Sequence, residues 1–247
     1  MSAPRSDYAR LSERAADGPV HRVRRWAQSL TGTDETPDRL ARARTAAQAA
    51  LSTGRRISVL GAGGGAGTTT VAVLLARTLG AARGGGVALV ADDDGSVGWR
   101  MLDPGGLTVR LLREPTAGQV RAAVAEHGRR HAVTVVDCGR SWELARAAEP
   151  HLTIVVARHT VRGRELVGHV GAWLAAGHPL LTVLREVPDS GLRPGRPGVD
   201  AASAVIHLPH DRHVAAEAAL DPALLAEPTE VAVEELAGVT LMRAVLG

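Results

Sequence analysis

Lysine, asparagine and phenylalanine are absent from this 247-residue chain, so all 29 basic side chains are arginines. A composition rich in Ala, Gly, Arg and Val fits a general drift that exchanges surface Lys for Arg. That drift does not account for losing a lysine that catalysis needs, because a neutral side chain cannot give phosphate a point charge. A single cysteine, Cys138, excludes an internal disulfide and suits a reducing cytoplasm. Aromatic residues make up 2% of the chain, which leaves the core to Val, Leu and Ala. No apolar run reaches the ~18 residues of a membrane span. No apolar signal segment follows the polar, Arg-bearing N-terminus. The expectation is a soluble cytoplasmic protein with no transmembrane segment.

Hydrophobic residues at 45% and charged residues at 22% fit a globular chain long enough for one substantial core and a modest extension. The net charge of +3 is unevenly spread. Residues 1–56 carry 11 Arg against 6 acids, whereas the remainder carries 18 Arg against 20 acids. A basic arm therefore precedes a slightly acidic domain, with the division expected at 1–54 and 55–247. Within the arm, Val20, Val23, Trp26, Ala27 and Leu30 recur at helical spacing. A second helix is expected from about 38 to 51, with Pro37 near its start. Residues 1–52 are a candidate nucleic-acid contact, although a solvated helix face has the same composition.

From residue 55 onward, apolar runs at 57–60, 87–91, 132–136, 152–157, 180–184 and 204–208 alternate with helical patterns. Those patterns lie near 68–81, 117–127, 141–148, 162–176 and 212–220. Continuous rather than alternating apolar strands predict a mostly parallel α/β sheet of six or seven strands, covered on both faces. The segment 189–200, rich in Gly, Pro and Arg, predicts a surface loop. The stretch 231–246 reads as an amphipathic helix that packs on the core, since its acidic residues are the wrong sign for an anionic membrane.

Between the first strand and the first helix of this domain lies Gly61-Ala62-Gly63-Gly64-Gly65-Ala66-Gly67-Thr68-Thr69-Thr70. Strand, glycine loop, threonines and helix is the layout of a P-loop, in which backbone N–H groups and a helix N-terminus hold phosphates. Thr68 takes the lysine slot and Thr69 the hydroxyl slot for Mg²⁺. Two later strands end in acids: Val90-Ala91-Asp92-Asp93-Asp94 and Val135-Val136-Asp137-Cys138-Gly139. An apolar strand ending in Asp is the Walker B arrangement. A sixth strand ends in His207-Leu208-Pro209-His210-Asp211.

In order and spacing these pieces resemble the MinD/ParA branch of P-loop ATPases over roughly residues 55–220. The resemblance implies a P-loop NTPase fold that takes ATP and Mg²⁺, forms a dimer and works with protein partners. It places the nucleotide on Gly63, Gly64, Gly65, Ala66, Gly67, Thr68, Thr69 and Thr70, with Pro209 and Asp211 near the base. Mg²⁺ falls to Thr69 and Asp137, and the catalytic acids to Asp93 and Asp137. Four departures accompany these matches. The family's signature lysine falls on Gly63 and its phosphate lysine on Thr68. The first acid of its Asp-x-Asp pair falls on Ala91, and its base-reading Asn on Leu184-Arg185. Charge-assisted contacts are worth ~1.5–3 kcal/mol each, so two missing lysines imply weak or absent nucleotide binding and little hydrolysis. The basic Trp-containing arm and the Val-Asp-Cys-Gly run also resemble actinobacterial MinD-like proteins that accompany type VII (ESX) secretion.

The expectation is thus a regulatory or scaffolding protein with a degenerate Walker A loop. Alternatives are an active ATPase in which an Arg such as Arg55, Arg56, Arg100 or Arg158 replaces the lysines, and a nucleic-acid binder using the arm. The loop also fits a plain tight turn, or a Gly61-x-Gly63-x-x-Ala66 dinucleotide fingerprint. His207, His210 and His213 suggest zinc, but Pro209 breaks their geometry. Cys138 reads as a small buried residue rather than a reactive thiol.

Overall fold

The computed structural model describes residues 36–93, 97, 106–174, 179–188, 190, 192, 198–200, 205–216 and 220–246. The Trp26 helix of the arm, Trp99 and Asp94 lie outside them. Helix α1 (Thr36–Ala47) leads into strand β1 (Arg55–Gly61), the glycine loop and helix α2 (Thr68–Arg83). There follow β2 (Val87–Asp92), β3 (Thr108–Leu112), α3 (Ala117–Gly128), β4 (Val133–Asp137) and α4 (Trp142–Ala147). Next come β5 (Leu152–Arg158), α5 (Val161–Leu174), β6 (Leu180–Arg185), β7 (Gly198–Asp200) and β8 (Val205–Leu208). The short α6 (Arg212–Ala215) and a 3₁₀ turn at Pro222–Leu224 precede α7 (Glu227–Leu246).

One eight-stranded sheet runs in the order β3-β2-β4-β1-β5-β6-β8-β7. Seven strands are parallel, and β7 pairs antiparallel to β8 at the edge. The α/β fold expected from the sequence is therefore the observed one. Successive residues of a strand face opposite sides of the sheet, and both sides are covered. Ile57, Val59, Leu89 and Val135 join the core beneath α2 and α7, while Leu60, Val90 and Val136 join the core beneath α3 and α4. That two-sided burial explains the continuous apolar strands.

Several boundaries differ from the sequence expectations. The sheet gains β3 and β7, the latter from the stretch expected as a loop. Strand β3 alternates too weakly to be read, since Arg110 and Leu111 are both exposed. Its pairing with β2 supplies the missing signal. The helix expected at 212–220 is one turn at Arg212–Ala215. Helix α1 ends at Ala47, short of residue 51.

Helix α7 is buried on most sides rather than amphipathic, because α1 covers the face that would otherwise meet solvent. The two helices approach so closely that a Cβ on Gly238 would stand 2.7 Å from the Ala43 carbonyl oxygen. Across this contact the Arg39 guanidinium donates to Glu235 Oε2 at 2.9 Å and forms an ion pair with its Oε1 at 2.7 Å, with Arg39 9% and Glu235 1% exposed. Arg44 adds a forked pair to Glu234, both bonds at 2.7 Å, on the exposed side. Among the described residues, no helix is long and apolar enough to cross a membrane.

Removing one partner of a buried ion pair leaves the other charge uncompensated and costs about 3–5 kcal/mol. Glu235→Ala is expected to lose stability on that scale in urea denaturation. The double variant Arg39→Met/Glu235→Leu is expected to recover most of the loss.

Candidate functional site

The register of the central strands brings the site together. Strand β4 lies beside β1 with Val59 opposite Asp137, and the chain after Asp137 continues the pairing: Cys138 N–H donates to Val59 O at 2.9 Å. The Gly61 N–H then donates to Gly139 O at 2.7 Å. Asp137 thus ends up buried below the glycine loop, where its Oδ1 accepts from the Gly139 N–H at 3.0 Å. Burial pushes the Cys138 thiol up to about 12, with the Asp137 charge adding to the effect, so it stays a protonated core group.

The loop itself is shaped by glycine. Gly65 and Gly67 adopt φ of +64° and +88°, a left-handed conformation that turns backbone N–H groups into a concavity able to hold an anion. Gly67 is the N-cap of α2, so the loop opens directly onto a sixteen-residue helix whose N-terminus carries partial positive charge.

Thr68, which the sequence pattern aligned with a lysine, does not extend from the loop. Its side chain is buried against β1, so close that a Cβ on Gly61 would stand 2.4 Å from its hydroxyl. Thr70 is buried as well, while Thr69 is half-buried in the first turn of α2. Gly63 faces α5, with the Leu166 Cδ1 methyl 3.2 Å from where its Cβ would be, and Gly64 is exposed beside Arg140.

Two arginines hold the loop from the neighbouring strand ends. Arg158, the last residue of β5, donates through Nε to the Gly65 carbonyl at 3.0 Å. Arg185, the last residue of β6, donates through Nε to the Ala66 carbonyl and through Nη2 to the Gly65 carbonyl, both at 3.1 Å. These two residues are register partners on adjacent parallel strands, which is why they reach the same loop. Arg158 was one of four arginines the sequence offered. Arg55 instead hydrogen-bonds Thr53, and Arg56 the Glu149 carbonyl; Arg100 lies outside the described residues. Arg185 was legible only as a departure from an expected Asn.

The remaining candidates lie farther along the same edge. Asp93 is exposed past the end of β2, two strands from β1, or ~10 Å at the usual interstrand spacing. Its N–H is fixed to Leu112 O at 2.8 Å. Pro209 and Asp211 follow β8, three strands from β1 on the other side. Asp211 caps α6. Its Oδ1 accepts from His213 N–H at 2.8 Å and Val214 N–H at 3.2 Å, and its Oδ2 from Ala226 N–H at 2.8 Å. Burial raises its pKa, but these backbone donors outweigh burial and hold the carboxyl below its ordinary value.

The three histidines suspected of binding zinc do not converge. His213 Nε2 accepts from the Asp221 N–H at 2.9 Å, and His210 is exposed. His207 meets His159 instead, ring centroids 5.1 Å apart. A cleft of ≈ 390 Å³ opens between α1, α2 and α7, lined by Leu74, Arg77 and Leu220. It lies away from the loop edge.

No protein-family model and no curated protein sequence matches the chain. Solved structures do. MinD from Pyrococcus horikoshii in complex with Mg-ADP superposes with TM-score 0.58 at 18% identity, over 74% of this chain and 94% of that one. The cell-division ATPase MinD of Pyrococcus furiosus gives 0.55 at 17% identity, over 76% and 98%. A ParA-family ATPase of Chlorobium tepidum gives 0.55 at 13%, also over 76% and 98%. The chain has the MinD/ParA fold. These structures are covered almost completely, whereas about a quarter of this chain lies outside the match.

Two outcomes follow from the geometry. Replacing Arg158 and Arg185 together by Ala should speed amide exchange at Gly65–Gly67 by roughly three- to tenfold, the scale of a lost hydrogen bond at each. Unchanged exchange would show that the arginines do not hold the loop. Asp211→Asn should destabilise the protein by ~1–2 kcal/mol near neutral pH. Because the folded pKa lies below the unfolded one, that contribution is complete above about pH 4 and disappears as pH falls through the folded value. Urea denaturation across pH should therefore show the two proteins converging in acid.

Proposed function

We propose that this protein is a regulatory or scaffolding member of the MinD/ParA group whose degenerate Walker A loop supports weak or no ATP hydrolysis. The observation that carries this reading is the burial of Thr68 against Gly61. No side chain of the loop therefore projects a cation toward a phosphate. The nearest guanidiniums, Arg158 and Arg185, donate to loop carbonyls.

The cradle nonetheless fits the nucleotide and Mg²⁺ that the fold implies. Gly65 and Gly67 present backbone donors at a helix N-terminus. Thr69, in the first turn of α2, and Asp137, at the end of β4, are the hydroxyl and carboxylate that would hold Mg²⁺, and Asp93 stands farther out on the same edge. A bound Mg²⁺ would offset phosphate charge. The loop dipoles alone leave much of a triphosphate's charge unmatched, so residual binding is weak.

On this reading the fold serves for protein contacts, in a homodimer or with a partner. Residues 1–54 carry the excess of positive charge, and α1 within them packs on α7. The basic sequence around Trp26 and the run Val136-Asp137-Cys138-Gly139 favour a cytoplasmic role beside a type VII secretion system.

A second reading is favoured by Arg158, whose guanidinium lies on the Gly65 carbonyl beside that of Arg185. If it swings from the Gly65 carbonyl to a phosphate, it restores part of the missing charge and leaves an active ATPase.

Calorimetry with Mg-ATP and Mg-ADP separates the two. The scaffold reading expects little binding by the wild type, a gain of about tenfold to a hundredfold for Thr68→Lys, and no turnover above a Thr69→Ala/Asp137→Ala control. Strong wild-type binding that Arg158→Ala abolishes would replace it with the arginine-compensated ATPase.

A further inference from the structure

The ends of β5, β6 and β8 bring together three side chains that the loop does not use. His159 follows Arg158, Glu186 follows Arg185, and His207 is the third residue of β8. Their positions follow from pairing. Arg158 is opposite Arg185 and Leu184 is opposite His207, so with a side-chain period of two His159, Glu186 and His207 share one face. The two arginines occupy the other. The register continues past the strands, since His159 N–H donates to Arg185 O at 2.7 Å and Glu186 N–H to Leu208 O at 2.8 Å. One candidate ligand atom from each of the three residues lies within 4.8 Å of the other two.

We propose that His159, Glu186 and His207 form a binding site for a divalent first-row transition metal, with Zn²⁺ the best fit. Two imidazoles and one carboxylate are a complete three-ligand protein set for Zn²⁺, leaving a position for water. Ligand atoms around tetrahedral zinc at about 2.0–2.1 Å stand roughly 3.4 Å apart. The observed cluster therefore needs a contraction of about 1.5 Å or less, within the reach of side-chain rotation. Glu186 Oε1 is buried without a hydrogen-bond partner, a cost that metal ligation removes.

His159 is 1% exposed, with its ring packed edge-on against that of His207 at 5.1 Å between centroids. Arg164 donates to His159 Nε2, so a metal at that nitrogen would compete with the guanidinium. Arg164 is exposed on α5, so its side chain has solvent to move into.

The test uses untagged protein stripped with chelator, titrated with Zn²⁺ in a calorimeter and with Co²⁺ in a spectrophotometer. One equivalent should bind at micromolar or tighter, and Co²⁺ should give the absorption of a low-coordinate nitrogen–oxygen site. Glu186→Gln and His207→Gln should each weaken binding at least tenfold. The exposed neighbour His210→Gln should leave it unchanged. Circular dichroism with chelator present establishes that each variant folds. X-ray absorption at the zinc edge of the wild type reads the ligand set without any substitution. The proposal is overturned by absence of stoichiometric binding, by binding that survives both substitutions, or by an edge spectrum without two imidazoles.

Discussion

The hydrogen-bond register that sets β1 between β4 and β5 is the constraint on which the site depends. It sets Asp137 beside Val59, two residues before the end of β1, and sends the chain into the glycine loop at the carboxyl edge of the sheet. The same parallel alignment brings β5 and β6 to a level where Arg158 and Arg185 reach one loop. A slip of one residue in either strand would turn those arginines to the other face. Loop shape, the burial of Asp137 and the His159–Glu186–His207 cluster therefore share one origin. The α7 helix, enclosed by α1 and tied by Arg39 to Glu235, backs the sheet from the far side.

Much of the fold was legible because its signals are local. Continuous Val- and Leu-rich strands separated by helical patterns announced a parallel sheet with two covered faces. The glycine loop announced itself by the run from Gly61 to Thr70. What escaped the sequence depends on pairing. Strand β3, with exposed Arg110 and Leu111, gains its identity only from β2, and β7 only from β8. Helix α7 looked amphipathic because nothing in residues 231–246 reveals that α1 will cover it.

The site was legible in a similar proportion. Asp137 and the loop glycines could be placed from strand-end position alone. The role of Arg185 could not, because a hydrogen bond between residues 119 positions apart needs the sheet order. His159 and Glu186 carry no motif at all. Their meeting with His207 needs the knowledge that β8 lies beside β6, a fact of topology rather than spacing. Asp211, by contrast, had a sequence position suited to a nucleotide site, yet its carboxylate accepts three backbone N–H groups at the start of α6.

The arginine contacts on the loop carbonyls have a mechanical consequence. A phosphate loop that depends on its ligand for order changes state when that ligand comes or goes, and such a transition is what a molecular switch reports. Here the planar fork of Arg185 spans two successive carbonyls, a geometry that a lysine ammonium does not match. Arg158 holds one of the same carbonyls. The loop is thereby ordered by its own chain, and an arriving anion has little disorder left to remove. An element held this way is stiffened from the ends of β5 and β6.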